Sequence, residues 1–264
     1  MADVRGAERL PDRWNDGEAA GMGEAELLLH RSNLLGGDLR ITNFGGGNTS
    51  AKVRQKDPLT GKDVTVLWVK GSGGDLGSMK RDGFATLYLD KLESLKGLYR
   101  GLEHEDEMVG YLPHCTFDLN PRAASIDTPL HAFIPKAHVD HMHPDAVIAI
   151  AASRDSERLT KEVFGGEIGW LPWQRPGFDL GLKLEAMAKG NPGLKGIVLA
   201  GHGLFTWGDT AKECYQQTLR IIQKAADHLA GRPLREPAFR SDGILAVIRH
   251  PWYAGTLLLL AFGL

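Results

Sequence analysis

The feature that most constrains this chain is a pair of histidines two residues apart, followed at once by a run of apolar residues. His141 and His143 flank Met142. In an extended strand, side chains at positions i and i+2 project from the same face, so the two imidazoles can bind one metal ion. The alternative is that the spacing is accidental, or that the two rings form a hydrogen-bonded pair on a strand. A catalytic zinc usually has three protein ligands and one open position.

The candidate for the third ligand is His202, which lies between Gly201 and Gly203. It follows the apolar run 197–200, which has the character of a buried strand. A histidine at the end of a second strand can meet the first two if the strand ends are neighbours. The sequence therefore predicts a metal centre formed by His141, His143 and His202.

The composition is that of an ordinary globular protein. The 264 residues are 42% hydrophobic and 24% charged, with a net charge of −2, which argues against a basic surface for nucleic acid. Cys115 and Cys214 give neither a disulfide framework nor a Cys-x-x-Cys site, which favours a reducing compartment. Residues 1–16 lack the apolar core of a signal peptide. We expect a cytoplasmic protein with no membrane contact outside its apolar C-terminal tail.

Strand and helix patterns alternate along the chain, which predicts the α/β class. Helical periodicity predicts helices at about 23–36, 155–164, 178–189 and 210–230. Residues 170–176 are expected to form a connecting loop. Apolar and β-branched runs predict strands at 64–69, 84–89, 139–143, 147–151, 197–200 and 204–207.

Two glycine-rich turns carry short polar side chains, at residues 44–50 and 70–74. Each is either a flexible turn or a cradle of backbone N–H groups for an anion. Neither matches the glycine motifs that bind nucleotides. Two such turns can converge on one phosphate group.

Ser125 and Asp127 precede Pro129, which suits the first turn of a helix. Their structural interpretation is capping of that helix. Their functional interpretation is a part in an anion or metal site, because Asp127 lies shortly before the histidine pair. The acidic run 103–107 is expected to be a solvated helix face.

Four segments in this order resemble the class II aldolase/adducin-head family: 46–50, 70–73, 125–131, and the histidines at 141, 143 and 202. The resemblance runs from about residue 23 to 232. It is closest to the aldolase half of the bifunctional rhamnulose-1-phosphate aldolase/alcohol dehydrogenases. Because the chain stops at Leu264, we expect the dehydrogenase half to be absent.

The resemblance implies a three-layer α/β/α domain around a mostly antiparallel central sheet. It also implies a homotetramer with active sites at the subunit interfaces. We assign this domain to residues 21–235, preceded by a loose polar leader at 1–20. An apolar tail of unclear origin follows at 236–264, either native or the product of truncation or recombination.

The resemblance also assigns roles to single residues. Aspartate stands where the aldolases carry a glutamate that acts as acid and base, and Ile126 stands where a second serine is usual. His131 and His138 are expected to be structural or supporting residues. The implied site comprises one Zn²⁺ per subunit held by His141, His143 and His202, substrate phosphate held by Asn48, Ser72, Gly73 and Ser125, and catalysis by Asp127.

The chemistry implied is the zinc-dependent retro-aldol cleavage of a ketose 1-phosphate. The best candidate is L-rhamnulose 1-phosphate, which would give dihydroxyacetone phosphate and L-lactaldehyde. One alternative is a sugar-phosphate 4-epimerase of the same family. Another is a non-catalytic interaction module like the adducin head, which would be expected to lack the metal ligands.

Overall fold

A computed structural model describes residues 8–231 of the chain. The tail expected at 236–264 lies outside the described residues. The core of the domain is a seven-stranded sheet. Its strands are β1 (Asn48–Lys56), β2 (Asp63–Lys70), β3 (Phe84–Tyr88), β4 (His138–Met142), β5 (Ile168–Leu171), β6 (Gly196–Leu199) and β7 (Gly203–Gly208).

Nine α-helices and four short 3₁₀ segments accompany the sheet between residues 8 and 231. None of these helices has the length and apolar character needed to cross a membrane. The 3₁₀ segments are Arg81–Gly83, Leu95–Gly97, Leu102–His104 and Leu112–Cys115. The α-helices are α1 (Asp16–Ala19), α2 (Glu24–Gly36), α3 (Leu89–Ser94), α4 (Glu105–Tyr111), α5 (Thr128–Phe133), α6 (Asp145–Ala151), α7 (Ser156–Phe164), α8 (Phe178–Gly190) and α9 (Ala211–Ala230).

The sheet has the strand order β3-β2-β1-β4-β7-β6-β5. Every neighbouring pair is antiparallel except β5 and β6. The predicted α/β class and the mostly antiparallel sheet are therefore confirmed. Strand β4 lies in the middle of the sheet, so its side chains are covered on both faces.

Alternation along the strands divides the core into two sides. On β2, Leu67 and Val69 face a layer that contains α3, α4, α5 and α8. Val66 and Trp68 face the opposite layer, which contains α2, α6, α7 and α9. The period of two residues thus produces the predicted three-layer α/β/α arrangement.

The strand predicted at 147–151 is wrong, because these residues form helix α6. Its buried residues are Val147, Ile150 and Ala151, which are separated by three and four positions, as on one face of a helix. A short apolar run fits either structure. Pro144 at the N-cap and Asp145 in the first turn favour the helix.

The loop predicted at 170–176 is also wrong in part. Residues 168–171 form β5, the edge strand, which pairs in parallel with β6. Gly169 interrupts the apolar pattern of this strand, which has only four residues. A β-carbon at Gly169 would lie 2.5 Å from Sδ of Met187 on α8, so close packing explains the glycine.

Residues 8–20 belong to the segment predicted as a polar leader at 1–20, and they contact helix α9. The backbone N–H of Leu10 donates to Oε1 of Gln223 (2.7 Å), and that of Arg13 to the hydroxyl of Tyr215 (3.0 Å). The Trp14 ring lies 5.8 Å from the Tyr215 ring. This segment therefore belongs to the surface of α9.

A buried ion pair links helix α2 to the central strand. Nε of Arg31 lies 3.0 Å from Oδ1 of Asp140, and both side chains are fully buried. Arg31 also donates to the carbonyl of Ser50 on β1, and its Nη1 lies 2.8 Å from Nδ1 of His138. The other carboxylate oxygen of Asp140, Oδ2, accepts a hydrogen bond from the Thr218 hydroxyl of α9 at 2.9 Å. One pair of charges thus connects two helices and two strands.

Replacing Arg31 by methionine is expected to destabilise the domain strongly, because Asp140 would keep a buried charge without its partner. Loss of one member of a buried pair costs about 3–5 kcal/mol of unfolding free energy. Urea unfolding followed by circular dichroism measures this loss. The control Arg158→Met removes an exposed arginine with ion pairs to Asp155 and Glu162 and should cost no more than about 1 kcal/mol. Equal losses in the two variants would contradict the role of the pair.

Candidate metal centre

Three histidines converge at the end of the central strand. His141 lies on β4, His143 follows the last residue of that strand, and His202 lies in the turn between β6 and β7. Because β4 and β7 pair antiparallel with Met142 opposite Leu204, the turn before β7 meets the end of β4. The ligand atoms of the three side chains all lie within 4.8 Å of one another. The structure therefore brings the three predicted ligands together.

The imidazoles are free to accept a metal ion. Nε2 of His141 and Nε2 of His143 are buried and have no hydrogen-bond partner among residues 8–231. The His141 ring stacks on Phe205 at 4.2 Å, which fixes its orientation. Two orphaned nitrogens beside a third imidazole match the ligand set of a metal centre with an open position.

Close approach of the rings requires Gly203 at the start of β7. A β-carbon at this position would lie 2.8 Å from Cδ2 of His143 and 2.8 Å from the carbonyl oxygen of Met142. Any side chain there would displace the ring or the strand. The glycine therefore supports the geometry of the cluster.

Burial keeps two of the rings neutral. It lowers the pKa of His143 to about 3 and that of His202 to about 4, and the neighbouring His141 imidazole adds to both shifts. A neutral imidazole offers the lone pair that a metal needs. At neutral pH both rings are therefore ready to bind.

Asp127 lies beside this cluster. It occupies the N-cap position of α5, but its side chain makes no capping hydrogen bond. Instead Nδ2 of Asn48 donates to Oδ2 of Asp127 at 2.5 Å, and the same oxygen lies 3.7 Å from Nδ1 of His141. Asn48 is itself opposite His141 in the β1–β4 register. The capping interpretation of the Asp127 side chain is therefore wrong, and the carboxylate is directed toward the histidines.

Two opposing effects act on the Asp127 carboxylate. Burial favours the neutral acid, but the neighbouring imidazoles of His141, His131 and His202 outweigh it and hold the pKa of Asp127 below its ordinary value. The group is thus a carboxylate at neutral pH. It is able to accept a proton or to bind a cation.

The other predicted phosphate residues lie in two places. Ser125 precedes α5, and its hydroxyl is buried without a hydrogen-bond partner in the described chain. Ser72 and Gly73 lie in the turn that follows β2. The Ser72 N–H donates to the carbonyl of Ala123 at 3.0 Å, so this turn is attached to the segment that carries Ser125. The structure thus places Asn48 with the histidines, and Ser72 and Gly73 in a neighbouring turn.

Sequence reasoning missed two cationic side chains near that turn. Lys70 and Arg122 line a cavity of about 240 Å³ together with Gly73 and Gly74. A lysine at the end of an apolar strand and directly before a glycine turn was a usable signal for Lys70. No sequence signal identified Arg122, because it lies in a segment without helical or strand periodicity.

Two further histidines lie behind the site. His131 is fully buried on α5, and its Nδ1 lies 2.8 Å from the Ser50 hydroxyl. His138 contacts Arg31 as described above, and its Nε2 lies 3.2 Å from Glu24. Neither ring is among the three that converge, which agrees with a supporting role.

The fold and the three-histidine cluster together define an aldolase-type domain. Residues 26–228 match the family described as "Class II Aldolase and Adducin N-terminal domain". The chain therefore belongs to the class II aldolase/adducin family. Proteins of this family with aldolase activity generally depend on a metal ion.

Two relatives match most of this chain at 30% identity or more. The "Uncharacterized oxidoreductase YuxG" of Bacillus subtilis (strain 168) is 41% identical over 220 residues, which is 83% of this chain and 32% of that protein. This chain thus spans about a third of the length of that relative. The N-terminal class II aldolase domain of a conserved protein from Thermoplasma acidophilum is 31% identical, with a TM-score of 0.75, covering 83% of this chain and 99% of that chain.

A more distant structure shares the fold alone. The sugar-phosphate aldolase from Thermotoga maritima is 15% identical, with a TM-score of 0.56, and the match covers 86% of this chain and 97% of that chain. At 15% identity, the comparison shows only that the two chains share the arrangement of sheet and helices.

The buried histidines predict a dependence of stability on pH in metal-free protein. Burial lowers the pKa of His131 to about 3, below its value of about 6.5 in an unfolded chain. The unfolded state therefore binds more protons between these values, and stability is lost as the pH falls from about 6.5 toward 3. Each such imidazole contributes a slope of about 1.4 kcal/mol per pH unit.

Urea unfolding of chelator-treated protein at several pH values, from roughly 4 to 7, measures how the free energy of unfolding depends on pH. In His131→Gln the slope should be shallower by the share of one imidazole, while the amide keeps a partner for the Ser50 hydroxyl. An identical slope in the variant and the wild type would show that His131 does not titrate on unfolding.

Proposed function

We propose that this domain catalyses the zinc-dependent retro-aldol cleavage of a ketose 1-phosphate, with L-rhamnulose 1-phosphate as the leading candidate. The observation that carries the proposal is the convergence of three imidazoles within 4.8 Å beside a carboxylate. The products would be dihydroxyacetone phosphate and L-lactaldehyde. Family membership supports the reaction class, and the choice of sugar rests on the resemblance to the rhamnulose aldolases.

Zinc is the proposed metal, one ion per subunit, held by His141, His143 and His202. Three imidazole nitrogen ligands and an open position suit this ion. Bound there, it supplies a Lewis acid for the negative charge that develops as the carbon–carbon bond breaks. The protein's part is to hold the three rings, and the Phe205 stack and Gly203 serve that purpose.

Asp127 is the proposed acid and base. As a carboxylate it takes the proton of the hydroxyl group on C4, the C3–C4 bond breaks, and the proton passes to C3 of the dihydroxyacetone phosphate fragment. The hydrogen bond from Asn48 holds the carboxylate in place during these transfers. An aspartate is one methylene shorter than glutamate, and its 3.7 Å contact with His141 supports the idea that it still reaches the site.

The substrate phosphate is proposed to bind Asn48, Ser72, Gly73 and Ser125. Asn48 uses one amide N–H for Asp127 and retains a second. The unpartnered Ser125 hydroxyl offers another donor. Binding energy from the phosphate, which lies away from the breaking bond, would position the reacting carbons. We also propose that the protein is a homotetramer with active sites at the subunit interfaces.

The first test is an assay of L-rhamnulose 1-phosphate cleavage. Dihydroxyacetone phosphate is read with a coupled reductase, before chelation, after chelation and after zinc is restored. We expect the activity to disappear on chelation and to return when zinc is restored.

In His202→Ala, the loss of one of three ligands should abolish both zinc binding, measured by elemental analysis, and activity. Zinc-loaded protein without cleavage would exclude this sugar, and analysis for a C4 epimer would then test the epimerase alternative.

Asp127→Asn separates proton transfer from metal binding. The amide keeps a similar shape and an acceptor for Asn48 but is unable to carry the proton. We expect kcat to fall by about 10²–10⁴-fold, with zinc content unchanged. His104→Asn, a change on an exposed face, is the control and should retain full activity. Activity near that of the wild type in Asp127→Asn would remove this residue from the mechanism.

A further inference from the structure

Three side chains on one face of β1 follow helix α5 along its length. Asn48, Ser50 and Lys52 are separated by two positions, so they project from the same face of the strand. Nδ2 of Asn48 donates to Asp127 at the N-cap of α5. The Ser50 hydroxyl lies 2.8 Å from Nδ1 of His131, about one turn further along the helix. Helix α5 therefore runs along β1 in the direction of the strand.

Lys52 makes the contact at the far end of the helix. Its ammonium group donates to the carbonyl of Ile134, the C-cap residue of α5, and to that of Lys136 at 2.8 Å. The last carbonyl groups of a helix have no partner within the helix, and a lysine beside them supplies both donors and a favourable charge. Lys52 thus attaches the carbonyl end of α5 to β1.

Helix α5 depends on contacts of this kind because it is short. Its six residues, Thr128–Phe133, are fewer than the roughly 12–15 that an isolated helix needs in water. Helix α8 packs closely against it, because a β-carbon at Gly181 would lie 3.1 Å from the backbone of Pro129 and 3.1 Å from the Phe133 ring. The position of α5 is therefore set from outside, by α8 and by the side chains of β1.

The charges around Lys52 leave its ammonium group to the carbonyls. Glu93 and Glu185 both form ion pairs with Lys96, and their attraction only partly offsets the burial that lowers the pKa of Lys52 to about 7. Among residues 8–231, the ammonium group of Lys52 forms no ion pair, and both of its hydrogen bonds are to carbonyl oxygens. The polar contacts of this side chain are thus confined to the end of α5.

The two ends of α5 are close enough for one to control the other. Asp127 lies seven positions before Ile134, which is about 10 Å along a helix axis. At the Asp127 end, the carboxylate lies 3.7 Å from Nδ1 of His141. A displacement of about 1 Å in a reacting group can reduce a rate by about 10²-fold. A small shift of this short helix would therefore be felt in the reaction.

We propose that Lys52 is a positioning residue of the retro-aldol reaction, an inference that rests on the proposed function. By holding the carbonyl end of α5, Lys52 keeps the carboxylate of Asp127 beside the histidines. The lysine acts through Asp127, so its contribution belongs to proton transfer and not to the binding of the substrate phosphate. Its loss should therefore be seen in kcat and not in KM.

The test is a double-mutant cycle between Lys52→Met and Asp127→Asn, in zinc-loaded protein whose zinc content is checked. Methionine removes the ammonium group and retains an apolar chain of similar length. Lys52→Gln, whose side chain is too short to reach the same carbonyls, replaces it if the methionine variant does not fold. The matched control is Arg54→Met, which removes an exposed cation two positions further along β1.

Lys52→Met should lower kcat by roughly 10–100-fold with little change in KM, and Arg54→Met should behave like the wild type. In the Asp127→Asn background, the lysine substitution should have no further effect on kcat, because the group that Lys52 positions has already lost its function. Equal losses in the two backgrounds would indicate a general structural role and overturn the proposal. An unchanged kcat in Lys52→Met would do the same.

Hydrogen exchange provides a measurement that does not depend on the reaction. Backbone amides of residues 128–136 should exchange at least about tenfold faster in Lys52→Met than in the wild type or in Arg54→Met, while those of β4 stay unchanged. Faster exchange in a protein that cleaves no sugar phosphate would retain the attachment of α5 and refute the lyase. Cleavage of a sugar phosphate with unchanged exchange in α5 would retain the lyase and refute the role of Lys52.

Discussion

The buried pair of Arg31 and Asp140 is the contact on which the geometry of the three-histidine cluster depends. It joins α2 to β4 directly, and hydrogen bonds from the pair reach β1 and α9. Asp140 is the neighbour of His141, but alternation along the strand turns the two side chains to opposite faces. The ion pair therefore fixes β4 from one side of the sheet, while the stack of His141 on Phe205 fixes the ring on the other.

The same alternation places the supporting side chains of β4 on one face of the sheet and the candidate ligand His141 on the other. His138 and Asp140 face Arg31, whereas His141 faces the side of the sheet that holds Phe205 and Asp127. A shift of the register by one residue would exchange these faces, placing a carboxylate among the ligands and an imidazole beside the arginine. Pairing on both sides, with β1 and with β7, prevents such a shift.

The histidine cluster is predictable because short sequence patterns identify its three residues. A spacing of two places His141 and His143 together, and a glycine-flanked histidine after an apolar run supplies the third. The role proposed for Asp127 comes from a resemblance, since the approach of its side chain to the histidines depends on how α5 meets β1. The strand prediction at α6 is wrong because seven residues with apolar spacing suit either a helix or a strand. Lys70 and Arg122 lie far apart in sequence, and their meeting is decided by the fold of a turn and a spacer, which periodicity does not describe.

The contact between α9 and β4 has a further consequence for the reactivity of the domain. The Cys214 thiol donates to Oδ2 of Asp140 at 3.2 Å, and burial beside that carboxylate raises the pKa of Cys214 well above its usual range. The thiolate is the form that oxidants and alkylating reagents attack, so the folded domain suppresses this chemistry. A thiol reagent reaches Cys214 only after α9 has separated from β4. The rate of its modification thus reports the opening of the contact that holds in place β4, the strand that carries His141.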